Sequence, residues 1–290
     1  MRIVVVGAGG QLGRELARVL PRDATLLPRR ELDVRDEAAV ATRLAAECPD
    51  VILNAAADNR VDAAESAPGD AFAVNAKGAA HVARAAAALG ALLVHCSTDY
   101  VFDGQARRPY REDDRPNPQS AYGRSKHAGE RLTAGLAPRH VIVRLAGLYA
   151  RHGSRGKGGS FVDRLLAQAE GGAALRVVAD QVTAPTWARD AAEALASLLP
   201  RWVDAGAPLG VYHLTNAGEC SWHAFAAAAL ACRGRREAVV PITTAALDAP
   251  APRPAYSVLA NARLAALGVP PLRHWREALA AYLASADSTD

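Results

Sequence analysis

Apolar and polar positions come in blocks along the first half of the chain. Residues 2–6 (RIVVV) begin it with an almost unbroken apolar run, the pattern of a strand buried on both faces. Residues 11–20 carry apolar side chains at 12, 16, 17, 19 and 20 and stop before Pro21, which predicts a helix. ATLL (24–27), VILN (51–54), ALLVHCS (91–97) and HVIVRLA (140–146) read as four more strands. Between them, 70–89 reads as an Ala-rich helix stopped by Gly90, and 121–136 as another helix. Such alternation predicts right-handed βαβ crossovers and an α/β fold: a Rossmann-type, doubly wound parallel sheet covered on both faces.

After residue 150 the pattern changes. HGSRGKGGS (152–160) is Gly-rich and basic and reads as a loop. Helices over 161–170, 188–199 and 221–232 follow, with strands near 175–178 and over 210–215. A Pro-rich stretch (241–254) precedes two short helices, and the terminal SADSTD is expected to fray. The expected division is a Rossmann domain over 1–150 and a small C-terminal lobe over 151–290, with elements of the latter returning to the core.

Composition narrows the function classes. The 290 residues are 50% hydrophobic and 22% charged, which excludes a disordered or fibrous chain. The net charge of +4 is spread without a basic stripe, so no nucleic-acid partner is expected. No window reaches the ~18 uncharged apolar residues of a membrane span, and the N-terminus lacks the features of a signal peptide. Cys48, Cys96, Cys220 and Cys232 lie far apart without a Cys-x-x-Cys, so zinc is not expected; Cys48, Cys96 and Cys232 read as core residues. A reducing, cytoplasmic setting is expected. The only lysines are Lys77, Lys126 and Lys157, so a lysine inside a motif stands out.

Gly7, Gly10 and Gly13 follow the first strand and open the first helix. A pyrophosphate site needs this arrangement: a tight turn, close backbone approach to the ligand, and close helix–strand packing. NAD-preferring sites place an acid at the tip of the second strand, but here Arg29 and Arg30 stand there. Guanidinium groups suit a 2′-phosphate, which favours NADPH while leaving NADH open.

Tyr122 and Lys126 are four residues apart on a predicted helix and share a face. Ser97 and Thr98 end the fourth strand, at the sheet edge where open α/β folds bind ligands. The chemistry that fits is carbonyl reduction. A phenol is a weak acid near neutral pH, and a neighbouring ammonium together with the positive nicotinamide ring is expected to bring its pKa down toward working pH. Thr98 could polarise the same carbonyl. No G-x-S-x-G elbow surrounds Ser97, which removes a hydrolase reading. His95 reads as a satisfied core histidine, and Trp187, Trp202, Trp222 and Trp275 as core of the second half.

These segments together carry a resemblance. GAGGQLGREL (7–16), ELDVRD (31–36), STDYVFDG (97–104), YGRSKHAGE (122–130), DQVTAPTW (180–187), HLTN (213–216), SWHAFA (221–226) and RPAYSVL (253–259) stand in an order that resembles the extended short-chain dehydrogenase/reductases. Within them the chain is most similar to the dTDP-4-dehydrorhamnose reductases. The resemblance implies reduction of the C4 keto group of a nucleotide-linked 4-keto-6-deoxy sugar. It implies that Gly7, Gly10, Gln11 and Leu12 cradle the pyrophosphate, and that Asp33 and Val34 contact the adenine. It has Ala55, Ala56 and Ala57 lining the cofactor edge, with Asn75 supporting them and Ser97 beside them. Tyr122 would be the proton donor, Lys126 its partner and a ribose ligand, and Thr98 the third catalytic hydroxyl. Tyr100, Val101 and Phe102 would border the sugar, and Arg253 would meet the diphosphate.

Two departures fall near the sugar. The family often has a Trp where Gly147 stands, and an aromatic and a Thr where Asp58, Asn59 and Arg60 stand. A different nucleotide keto sugar therefore stays open. So does a non-catalytic, NADP-binding regulatory subunit like the β subunit of methionine adenosyltransferase. The basic loop (Arg151, Arg155, Lys157) could fold over a nucleotide or be simply solvated. Some family members hold Mg²⁺ at a dimer interface; Glu15 and Asp190 are the matching acids, but two scattered acids do not make a metal site, and none is assigned. Mg²⁺ and a homodimer are left open, with a nucleotide sugar as the expected partner.

Overall fold

The computed structural model describes residues 1–151, 159–171, 174–235 and 238–287. Six parallel strands form the central sheet: β1 (Ile3–Val6), β2 (Thr25–Leu27), β3 (Val51–Asn54), β4 (Leu92–Thr98), β5 (His140–Leu145) and β6 (Gly210–His213). Their order is β6-β5-β4-β3-β1-β2. The direction of winding reverses between β1 and β3, so the crevice for a ligand opens at their carboxyl ends.

Unbroken apolar strands are explained by burial on both faces. Val5, Leu53, Val94 and Val143 point to one face, where α1 (Gln11–Val19) packs with a later helix, Ala188–Val203. Val4, Ile52 and Leu93 point to the other, beneath α2 (Glu37–Glu47) and α3 (Ala79–Leu89). Gly90 ends α3 in the left-handed conformation with φ 66°. Helix α4 (Ala121–Leu136) lies beside α3, capped by Ser120, whose hydroxyl accepts from Gly123 N.

The longer helices of the second half are α5 (Phe161–Glu170), α6 (Ala188–Val203), α7 (Trp222–Cys232) and α8 (Trp275–Asp287). Val162, Leu165, Phe225, Trp275 and Tyr282 of α5, α7 and α8 build a second core around Tyr149. Helix α6 and strand β6 instead join the first core, although both come from the C-terminal half.

Several expectations change. Helix α2 was not evident in the sequence: only Val40 and Leu44 of it are buried, too few to mark a periodic face, and its start is set by the Asp36 carboxylate accepting from Ala39 N. Helix α6 runs past Leu199 and Pro200 because Trp202, buried in the first core, extends its apolar face. Residues Val239–Ile242, which run into the Pro-rich stretch, pair as a strand with Leu175–Val178, and the final helix is long, holding residues 285–287 of the tail. Cys48 and Cys232 are exposed, not core: each stands at a helix end, Cys48 in the left-handed region at φ 45°. Trp202 packs in the first core, and Trp222 is only partly buried.

Beneath the sheet edge lies one buried ion pair. Arg144 on β5 donates from Nε to Glu130 Oε1 and from a terminal nitrogen to Oε2, both at 2.8 Å. Burial opposes ionisation of Glu130, but Arg144 and His127 outweigh it and bring its pKa down to about 2. The guanidinium also lies 5.1 Å from the centre of the Phe102 ring. Removing one partner of a buried pair leaves the other charge stranded. Arg144→Met is therefore expected to cost about 3–5 kcal/mol in urea unfolding with the m-value unchanged; a loss under about 1 kcal/mol would contradict the pairing.

Candidate active site

The crevice between β1 and β3 is built for close backbone approach. Gly7 follows β1 at φ +81°, and a Cβ there would stand 2.5 Å from Ala56 N. Its N–H is taken by Leu27 O, and its carbonyl accepts from Gly10 N at 3.0 Å, closing a tight turn. Gly10 is the N-cap of α1 and carries no side chain to cap the helix. The N-terminal amides of Gln11 and Leu12 thus begin a helix with no acid in its first turn, a site for an anion. Ala55, Ala56 and Ala57 run along the opposite wall at the end of β3, growing more exposed toward Ala57. A cradle that a single Cβ would fill fits a dinucleotide pyrophosphate.

At the tip of β2, Arg29 and Arg30 are largely exposed. Arg29 Nε lies 3.6 Å from Asp33, and its charge also acts on Asp58. Asp33 is clasped by Arg35, whose hydrogen bonds hold its carboxyl down at about 2. Arg60 donates to Asp58 at 2.6 Å. Three arginines therefore stand around two carboxylates at this end of the crevice. Val34, by contrast, is buried against Gly78, and its carbonyl is bonded by His81. Its side chain belongs to the core.

Asn75 is fully engaged as a brace. Its amide donates to Asp58 O and to Ser125 Oγ, and its oxygen accepts from Asp58 N. It thereby ties the loop after β3 to α4. The helix can approach this closely because residue 129 is glycine: a Cβ there would stand 2.1 Å from Asn75 O.

The structure brings Thr98, Tyr122 and Lys126 together at the end of β4. Lys126 Nζ donates to Cys96 O at 2.6 Å and is buried. Burial lowers its pKa to about 8, against the raising effect of Cys96 and Glu130. Burial pushes the Tyr122 phenol up; the neighbouring Thr98 hydroxyl opposes this, and the charges of Asp99 and Asp58 reinforce it. Lys126 turns its ammonium to the Cys96 carbonyl, and the ionised groups that act on the phenol are Asp99 and Asp58. Ser97 is buried beside Glu130.

Tyr100 packs edge-on to Tyr122 at 5.6 Å and helps line a cavity with Asp99, Gly147, Gln181, Thr183, Trp222 and Ser257. Val101 and Phe102 do not reach it. They are buried with Leu259 in a separate cluster, where Phe102 stacks on Tyr110. Arg253 stands beside the cavity-lining Pro254 and makes two bonds to Asp62 at 2.8 and 2.9 Å. Asp99, Gln181, Thr183, Trp222 and Ser257 were not picked out in the sequence, although all lie in segments that carry the family pattern. Gly147 is where a tryptophan is missing, yet a Cβ there would lie 3.4 Å from the Trp222 ring. An indole does border the cavity, from another element.

His95 is only half satisfied. Its Nδ1 meets Asn54 Nδ2 at 3.2 Å, while Nε2 has no partner among the described residues. Burial and the Lys126 charge lower its pKa to about 3, so it is neutral. Glu15 and Asp190 do not form a cation site: Glu15 is held by Arg18 and Arg189, and Asp190 by Asn216 and Arg273. With their charge already compensated, these acids do not fit Mg²⁺. Arg155 and Lys157 of the basic stretch lie outside the described residues. Among the described residues, no helix is long and apolar enough to cross a membrane.

Comparison with known proteins agrees with this geometry. The sequence model of the family described as RmlD substrate binding domain matches residues 1–288. A dTDP-4-dehydrorhamnose reductase of Streptomyces griseus is 45% identical over 283 residues, covering 96% of this chain and 91% of that protein. A probable dTDP-4,6-dihydroxy-2-methyloxan-3-one 4-ketoreductase of Streptomyces antibioticus is 41% identical, covering 96% of this chain and 93% of that one. The crystal structure of dTDP-4-dehydrorhamnose reductase from Bacillus anthracis in complex with NADP superposes with a TM-score of 0.91 at 32% identity, covering 98% of this chain and 99% of that one.

Gly7→Ala tests the cradle. The added methyl must push Ala56 back and adopt a strained φ, so stability should fall by about 1–3 kcal/mol. NADPH affinity, followed by fluorescence titration of the still-folded variant, should fall at least about tenfold. Unchanged affinity would show that the turn does not approach the cofactor.

Proposed function

The chain belongs to the family of the RmlD substrate binding domain, and on that premise we propose that it reduces the C4 keto group of a dTDP-linked 4-keto-6-deoxy sugar, with dTDP-4-dehydro-L-rhamnose as substrate and dTDP-L-rhamnose as product. The observation that carries this reading is the meeting of Thr98, Tyr122 and Lys126 at the end of β4, beside the crevice that Gly7 keeps open.

When bound, the reduced nicotinamide supplies a hydride to the carbonyl carbon. The protein supplies the proton and the geometry. Tyr122 is the general acid: burial keeps its phenol protonated, the state a donor must have in the reductive direction. Thr98, beside the phenol at the end of β4, opposes that rise and would polarise the substrate carbonyl. Lys126 is anchored by one N–H on Cys96 O, which leaves two donors for ribose hydroxyls. Tyr100, Trp222 and Gln181 border the sugar. Arg253 meets the diphosphate by exchanging Asp62 for the ligand's phosphates.

The arginines around Asp33 and Asp58 support NADPH over NADH. A second sugar remains in play because the Streptomyces antibioticus relative is named for a different 4-ketoreduction and because Gly147 and Asp58–Arg60 depart from the family pattern near the sugar.

The direct experiment generates dTDP-4-dehydro-L-rhamnose in situ, follows loss of reduced-nicotinamide absorbance, and identifies the product by NMR. Formation of dTDP-L-rhamnose is expected; turnover confined to another keto sugar would replace the substrate. Tyr122→Phe should lower kcat by about 10²–10⁴-fold with NADPH binding intact, and retained activity would remove Tyr122 as donor. Arg29→Ser should weaken NADPH about tenfold and leave NADH unchanged; equal effects on both would take Arg29 off the 2′-phosphate.

A further inference from the structure

One buried hydroxyl in the cavity beside the reacting groups has no part in the mechanism above. Thr183 is 3% exposed and lines that cavity with Tyr100, Gly147, Gln181 and Trp222. Its Oγ1 has no hydrogen-bond partner among the described residues. Burying a hydroxyl unpaired is costly, and native interiors hold few such groups. Packing fixes where this one stands. The Thr183 methyl takes the space beside Gly147, 3.5 Å from where a Cβ on that glycine would lie. Methyl and hydroxyl leave the same carbon, so the packed methyl holds the hydroxyl in one place. The backbone beneath is held from two sides. Val182 and Thr183 pair antiparallel with Ser221 and Cys220, while Val182 N donates to Ala255 O and Val182 O accepts from Ser257 N. Gln181 is oriented too. Thr244 Oγ1 donates its one proton to Asp180 Oδ1 at 2.7 Å, so it accepts from Gln181 Nε2 at 3.0 Å.

Resting on the reductase reading, we propose that Thr183 determines sugar specificity: its hydroxyl forms a hydrogen bond with a ring hydroxyl of the bound sugar, at C2 or C3. The cavity begins at the reacting groups, because Tyr100 of its lining packs on Tyr122 at 5.6 Å and Asp99 of its lining follows Thr98. A sugar whose C4 carbonyl meets Tyr122 therefore lays its ring along this wall. In a 4-keto-6-deoxy sugar C1 carries the diphosphate, C4 the carbonyl and C5 the methyl. C2 and C3 carry the only ring hydroxyls. Pockets of this kind combine apolar walls, here Tyr100 and Trp222, with a few fixed polar groups that set orientation. A hydroxyl kept unpaired in the empty site gains its partner only from a sugar that has the matching group, and it rejects one that lacks it. The Gly147 backbone is part of the arrangement, since the space beside it is what the Thr183 methyl occupies.

Thr183→Val keeps the shape and the methyl beside Gly147 and removes the hydroxyl. Because that hydroxyl is unpaired in the free protein, Tm should be unchanged or higher. The kcat/KM for the keto sugar should fall at least about tenfold. Affinity for NADPH, and inhibition by dTDP, which lacks the hexose, should be unchanged. Wild type should prefer the natural keto sugar over its 2-deoxy or its 3-deoxy counterpart by at least about tenfold, and T183V should lose that preference for the same counterpart. A lower Tm with parallel losses toward keto sugar, dTDP and NADPH would make Thr183 a structural residue and overturn the proposal. An unchanged kcat/KM in T183V, a wild type indifferent to both deoxy sugars, or a variant that keeps the wild-type preference would overturn it as well, leaving the hydroxyl to water. If wild type turned over no keto sugar at all, the reductase reading would fall and this assignment with it; wild-type turnover with an unaffected T183V would sink the assignment alone.

Discussion

Helix α4 must lie almost on top of its neighbours for the site to exist. Tyr122 and Lys126 reach the end of β4 only because Gly123 and Gly129 let the helix backbone come within contact of Tyr100 and Asn75, where any Cβ would collide with a carbonyl oxygen. Asn75 then bonds Ser125 of the helix and Asp58 of the loop after β3, and Glu130 drives a carboxylate through to Arg144 on β5. Small residues set the distance, and the polar bonds set the register along it. A buried guanidinium is suited to this role because it stays charged and grips both carboxylate oxygens at once.

The same burial gives the site its electrostatics. Away from water, Lys126 is lowered, Tyr122 is raised and Asp99 is raised, each toward its neutral form. Glu130 resists that trend because its partner is equally buried. The site therefore keeps its phenol as an acid and its excess charge in one locked pair. That distribution suits a reaction in which the protein must give up a proton.

The parallel sheet, α1, α4 and the glycine turn were legible because each has a local signature: unbroken apolar strands, glycines at fixed offsets, and Tyr122 four residues before Lys126. Helix α2 was not, because exposed alanines leave it without a periodic face. The catalytic trio is adjacent to recognisable strand and helix ends, so its members could be paired from sequence. Asp99 and Trp222 could not. Asp99 sits one residue from Thr98, and only the fold shows that its carboxyl turns inward. Trp222 lies 75 residues from Gly147, and no pattern within either segment says that the ring fills space beside that glycine. Val101 and Phe102 misled for the converse reason: they neighbour Tyr100 in sequence but point into a separate cluster.

Strand β6 has a consequence for how the chain is made. It is the outer neighbour of β5, yet it begins at residue 210, whereas β5 is complete at residue 145. At ribosomal rates of roughly 5–20 residues per second, the nascent sheet waits about 3–13 seconds with the β5 edge open. An open apolar edge is a template for pairing with other chains. Helix α6, which covers the Leu12–Leu16 face of α1, is also late. The β5 edge therefore stays unpaired until the second half of the chain has been made and β6 has been threaded back onto it.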